Sequence, residues 1–332
     1  MGYYSGFKYG TGVYYGPVCA ISAVSPVEGP APGGNSFVIT GTGFDPRQWD
    51  DMFTAAALVL ARWSDISFGG SVSTGPYHLG FSTSVVPAST AGILSVMQWY
   101  DVQGEVRVII SPVASRPLSE IDVLVFTLSV DSSNYAEMYV RMDTAGNMML
   151  HCETWVGGIM RDELKSPLVW TTGLATFKIL RYGTDVYFVA NGSVICRIPG
   201  FIATPASFMI STRNLSAAYD VDCTRVELFY YRPFAVFQNQ PVHDTVIVSD
   251  NRARGLVPAS RDITWQFAAY EGPVDVSMIG EGPTTSTDAY KYYYVAGMKS
   301  INSTQFSVEM SLINDAQLAT PDGENKGFGG GY

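Results

Sequence analysis

Between Thr176 and Ile198 the chain reads TFKILRYGTDVYFVANGSVICRI, a stretch that admits one kind of local structure. Phe177, Ile179, Val186, Phe188, Val194 and Cys196 alternate with polar or surface-type residues, the period-two pattern of strands with one buried face. Asn191-Gly192 supplies the positive-φ pair of a tight type I′ turn, and Tyr182-Gly183-Thr184-Asp185 marks a second turn. The pattern is general. Segments such as EVRVII, DVLVFTLSV, AEMYVRM, NMMLHCETW and RVELFYY recur roughly every ten residues with turn residues between them, which predicts an all-β chain built as sandwiches. Helical periodicity is nearly absent, and its best candidate is WDDMFTAAALVLARW at 49–63, with apolar Met52, Phe53, Ala56 and Leu60.

A length of 332 residues suits about two domains. The net charge of −10, with no run of four basic residues, argues against nucleic acid as a partner. Charged residues make up 15% and aromatic residues 13%, so much of the surface is expected to be hidden in a core or an assembly. The longest apolar run, AAALVLA at 55–61, is far shorter than a membrane span, and no membrane insertion is expected. The start, MGYYSGFKYG, has neither the basic nor the apolar region of a secretory leader. Without a leader the sequons at Asn191, Asn214 and Asn302 carry no weight. Cys19, Cys152, Cys196 and Cys223 lie far apart, which suits neither a metal knuckle nor a disulfide framework. They are expected to be buried thiols in a protein made and assembled in a reducing cytoplasm.

The hairpin at 176–198, with the strand pairs before it and RVELFYYRPF after it, resembles the concanavalin/laminin-G jelly rolls over about residues 47–233. A second resemblance is split along the chain. Ile21, Ser25-Pro26, Gly29-Pro30, Gly33-Gly34 and Gly41-Thr42-Gly43-Phe44 are similar to the opening of IPT/TIG immunoglobulin-like domains. Val257-Pro258-Ala259, Gly272, Val274-Asp275-Val276 and Tyr292–Tyr294 are similar to their closing segment. These resemblances imply a discontinuous immunoglobulin-like sandwich, 18–46 plus 234–296, with the jelly roll inserted after Phe44. Insertion at a loop whose ends are close costs little. A Tyr/Gly arm at 1–17 and a strand with a Gly-rich tail at 297–332 flank them. The strand QFSVEMSL in that tail is expected to pair with a partner chain.

The sharpest enzymatic lead is Glu120-Ile121-Asp122-Val123-Leu124-Val125. It resembles the E-I-D-I-x-E strand of jelly-roll β-glucanases, where the first Glu is implied to be nucleophile and the last acid/base. Here the last position is Leu124, or Val125 if the strand is bulged, so the second acid is missing. Glu120 and Asp122 are then expected to be solvent-facing acids at a strand start. His78, His151 and His243 are isolated, and neighbours His151 and Cys152 point to opposite faces of a strand. No catalytic, cofactor or metal residue is assigned. Calcium is the one possible cofactor, from Asp131, Asp143, Asp162, Asp220 and Asp222, although no D-x-D-x-D-G loop occurs. Trp63, Trp99, Trp155 and Trp170 are candidates for stacking on sugars, Trp99 and Trp155 foremost.

The N-terminal arm, GFKYGTGVYYG, resembles arms at the start of tailed-phage tail and baseplate proteins. The resemblance implies a non-enzymatic virion protein assembled in the host cytoplasm. Its partners would be other virion proteins and copies of itself, with contacts from Tyr9, Tyr14, Tyr15, Phe328 and Tyr332, and its jelly roll could bind host-surface glycans. The alternatives are a bacterial extracellular carbohydrate-binding protein and a jelly-roll glycanase. The last requires a second carboxylate, from another strand, beside Glu120 or Asp122.

Overall fold

The computed structural model describes residues 19–31, 33–44, 50–55, 57–84, 89–112, 120–166, 174–214, 220–229, 233–260, 270–279, 287–293, 295–302 and 305–311. The regular elements among them are strands. The candidate helix at 49–63 is not formed among the described residues, which carry two short strands there, Asp50–Asp51 and Trp63–Asp65. The Asp51 carboxylate explains why. It accepts hydrogen bonds from the Phe53 backbone N–H at 2.8 Å and from Trp63 Nε1 at 2.8 Å. Phe53 itself takes a left-handed φ of 48°, which no α-helix continues, and its ring packs 5.9 Å from that of Trp63.

The chain separates into two compact units, one spanning Pro46–Arg232 and the other joining Pro17–Asp45 to the chain from Pro233 onward. The first is a jelly-roll sandwich. Its first sheet runs, edge to edge, Ile159–Ser166, Met148–Val156, Asn134–Met142, Ile121–Asp131, Ser207–Asn214, Thr90–Ser95 and Trp63–Asp65. Its second runs Ser193–Ile198, Asp185–Ala190, Ala175–Tyr182, Val102–Pro112, Asp220–Phe229, His78–Ser82 and Ser71–Gly75, with Asp50–Asp51 pairing on Asp220–Phe229. Alternate residues from both sheets meet in one core, where Phe126 and Phe208 stack at 5.3 Å. Gly104 lies under the Phe208 ring; a Cβ there would collide with it.

The hairpin read from sequence forms as Ala175–Tyr182, Asp185–Ala190 and Ser193–Ile198, with Asn191 and Gly192 at φ of 49° and 83°. One of its six expected core residues departs. Val194 is exposed, because a bulge after Phe188 pairs it with outward-facing Val189.

The second unit is also a two-sheet sandwich. Ala20–Ser25, Ser36–Thr42, Arg252–Leu256 and Val246–Ser249 form one sheet; Glu28–Pro30, Thr287–Tyr293, Tyr270–Ile279, Phe234–Phe237 and Gln240–Pro241 form the other. Phe37, Phe237, Tyr290 and Tyr292 fill the space between them. The buried tyrosine hydroxyls are satisfied, Tyr290 by Asn35 at 2.9 Å and Tyr292 by the Pro258 carbonyl at 2.9 Å. The strand Gln305–Ser311, expected to pair with a partner chain, has a neighbour within the chain. It pairs antiparallel with Val295–Asn302, Asn302 facing Gln305. A hairpin between sequence neighbours closes at a smaller entropy cost than a distant pairing.

Candidate functional site

The first jelly-roll sheet has two unlike faces. Ala136, Met138, Val140 and Met142 of one strand, and Leu150 and Cys152 of the next, point into the core. Tyr135, Glu137, Tyr139 and Arg141, with His151, Glu153 and Trp155, take the alternate positions and point away from it. On Ile121–Asp131 a bulge after Asp122 shifts the register against both neighbouring strands. Phe126 and Leu128 face the core, and without the extra residue Asp122 would share their side. The bulge turns it onto the outer face instead. Asp122, expected to be a solvent-facing acid, is therefore fully buried and shares its face with Val125, not Leu124. Glu120 alone is exposed at the strand start.

Pairing across the strands sets these side chains in rows. Tyr135 lies opposite Trp155; Thr127, Glu137 and Glu153 form the next row; then come Tyr139 and His151; then Arg213, Asp122 and Arg141. The rows are almost closed to solvent. Glu137 is 2% exposed, Glu153 7% and Tyr139 and His151 4% each.

Their polar atoms are satisfied by one another, as buried charge requires. Arg141 donates to Asp122 from Nε at 2.7 Å and Nη2 at 3.3 Å. Arg213 donates to the same carboxylate from Nε at 2.9 Å, and its Nη2 lies 2.7 Å from Asp122 and 3.4 Å from Glu137. Thr127 Oγ1 donates to Glu137 at 3.4 Å. Glu153 accepts from Tyr139 Oη at 3.3 Å and Trp155 Nε1 at 2.7 Å. The Tyr139 and His151 rings stack at 4.7 Å and 8°. Both guanidinium groups sit over Tyr139, at 5.0 Å and 5.8 Å.

Among the described residues three carboxyl groups here face two guanidinium groups, and Glu137 is the most perturbed of the acids. Burial, opposed by Arg213 and reinforced by hydrogen-bonded Glu153, pushes its pKa up to about 7. A carboxylic acid that keeps its proton near neutral pH is a ready proton donor. Burial and Glu137 push the half-exposed Tyr135 hydroxyl up to about 12, so it remains a hydrogen-bonding phenol. Burial opposes the charge of Arg213, but Glu137 and Asp122 more than offset it, and its pKa rises.

Of the residues singled out in the sequence, Trp155 lies half-exposed on this face, stacked on Tyr135 at 5.8 Å. Trp99 cannot offer a face to sugar, because it is wholly buried against Phe208. Trp63 is buried likewise, and Trp170 lies outside the described residues. So do Tyr9, Tyr14, Tyr15, Phe328 and Tyr332. Cys152 does point into the core and His151 out of it. All four cysteines are free thiols, Cys196 alone of them partly exposed. Among the described residues no group of His, Cys, Asp and Glu could hold a metal ion. Asp131 and Asp143, considered for calcium, spend their oxygens on their own turns, through Ser133 and Asn134 and through Ala145 and Asn147.

No protein-family model matches the chain, and no curated protein matches it. Solved structures do. A Bacillus licheniformis β-glucanase is 12% identical, with a TM-score of 0.44, over 55% of this chain and 97% of its own. The catalytic domain of a Thermotoga petrophila endo-1,3-β-glucanase (laminarinase) is 9% identical, with a TM-score of 0.44, over 55% and 96%. A Crh5 transglycosylase is 14% identical, with a TM-score of 0.43, over 55% and 83%. The chain is all-β, with a jelly roll of the concanavalin type. The expectation of a non-enzyme is corrected. The similar structures are glucanases, a laminarinase and a transglycosylase, and Glu137 and Glu153 lie on adjoining strands, on the same face as Asp122.

Proposed function

We propose that the outer face of the first jelly-roll sheet takes a saccharide and that Glu137 protonates its glycosidic oxygen. The observation that carries this reading is the placement of Glu137, buried beside Arg213 and Thr127 in a row flanked by a half-exposed Tyr135–Trp155 stack, where burial pushes its carboxyl up to about 7. Aromatic faces of this kind pack against the apolar C–H face of a pyranose. Tyr135 and Glu137 are two residues apart on one strand, about 7 Å, so a ring on the aromatic pair brings its linkage over the acids.

The chemistry is acid-assisted cleavage. Glu137 gives its proton to the leaving oxygen, the C–O bond breaks toward that oxygen, and the Glu153 carboxylate offsets the positive charge left at the anomeric carbon. Water adds at that carbon and returns a proton to the Glu137–Glu153 pair. Carboxyl groups acting as separate acid and nucleophile stand about 5–5.5 Å apart. Glu137 and Glu153 face each other directly across adjacent strands, which suits a shared proton store. Asp122, held by two arginines, positions Arg213 against Glu137.

The test is release of reducing ends from a panel of neutral and acidic polysaccharides by the full chain and by Glu137→Gln. Release by the full chain that Glu137→Gln loses supports the acid role. Release that survives the substitution contradicts it, as does saccharide binding with no turnover on any member of the panel.

A further inference from the structure

The row farthest from the aromatic pair is built for charge of one sign. Asp122 contributes one negative charge, and Arg141 and Arg213 contribute two positive charges from the strands on either side. Both guanidinium groups reach the surface, with side chains 27% and 33% exposed. Asp122 engages the Nε and Nη2 atoms of each. Among the described residues the Nη1 atom of Arg213 has no hydrogen-bond partner, and that of Arg141 faces only the exposed Glu120 at 3.9 Å. An arginine carries five N–H donors in a planar fork, so each group keeps donors for a ligand. The stack beneath them, Tyr139 on His151, holds both forks over one ring.

We infer that this row is a subsite for an anionic substituent, a carboxylate or a sulfate ester, on the saccharide that the face takes. The inference rests on the saccharide reading and adds the substrate class. The substituent sits about three rows, roughly 20 Å along the strands, from the aromatic pair. The acid row lies between them, so the charged sugar is on the far side of the reacting linkage from the stacked one. The charge of −10 on the whole chain disfavours densely charged polymers, so the ligand that fits carries isolated acidic groups on an otherwise neutral backbone. Glu137 and Glu153 stand two rows away and do not occupy the free Nη1 donors. Glu120, half-exposed, is the nearest competitor and is displaced at little cost.

The experiment compares three oligosaccharides of one backbone by calorimetry on the full chain: one bearing a single hexuronate, its carboxyl-reduced neutral form, and its monosulfated analogue. The expected result is at least about tenfold tighter binding of one or both acidic forms than of the neutral form, as for a charge-assisted pair. The preference should shrink with added salt and be lost in Arg141→Gln. The salt series on the unmodified chain reads the same charge should that variant fail to fold. Which acidic form wins distinguishes carboxylate from sulfate. Equal binding of all three overturns the subsite and leaves the saccharide reading in place. Binding of none overturns both.

Discussion

The two sheets of the jelly roll each bury ionic side chains on the face turned away from the core, and they do so with different arithmetic. On the second sheet Glu105 lies 2.6 Å from Arg107 and 3.4 Å from Lys178, and Arg107 reaches Glu227 at 3.6 Å. In these contacts two acids meet two cations. On the first sheet, among the described residues, Asp122, Glu137 and Glu153 meet Arg141 and Arg213. Burial, with Glu153 beside it, pushes the Glu137 carboxyl up to about 7 despite Arg213, and a structural network becomes a candidate acid catalyst.

The comparison breaks most readily at the acid itself. Glu137→Gln is expected to lower turnover by about 10²–10⁴-fold in a reducing-end assay, the usual worth of a general acid. Glu105→Gln, on the balanced face, should leave turnover unchanged. Asp122→Ala comes next. It leaves two guanidinium groups crowded over one ring without their anion, and a loss of about 3–5 kcal/mol is expected in urea unfolding.

A pH series sharpens the contrast. Glu137 is protonated in the fold up to about pH 7 but releases its proton near pH 4.5 in the unfolded chain. Between those values the native state binds more protons, so Glu137 makes stability fall as pH rises from about 4.5 to about 7, by at most about 3 kcal/mol. Glu137→Gln should remove that slope in thermal melts; Glu105→Gln should not. The smallest effect belongs to the aromatic edge. Trp155 is half-exposed and stacked on Tyr135. Trp155→Ala is expected to weaken saccharide binding by about 0.5–1.5 kcal/mol, with little change in melting temperature.

Much of the fold was legible because alternation and turn chemistry are local. The 176–198 hairpin follows from Asn191-Gly192 and its flanking apolar residues, and the opposite facing of His151 and Cys152 follows from strand parity alone. The errors lie where locality ends. A bulge exposes Val194, and another turns Asp122 from an expected surface acid into a buried anion between two arginines. Glu137 and Glu153 were visible within strand segments, but their meeting depends on inter-strand register, which neither segment encodes by itself. A usable signal was present. Glu137 and Glu153 occupy outward positions on adjacent strands with basic Arg141 and aromatic Trp155 in phase with them, an unusual choice for a face that only meets water.

The measurement that bears most directly on this account is a carbon-13 NMR titration of the glutamate side-chain carboxyls of the full chain, with Glu137 assigned by its loss in Glu137→Gln. A midpoint near 7 is the predicted result. A midpoint near the ordinary 4.5 would contradict the reading of Glu137 as the proton donor.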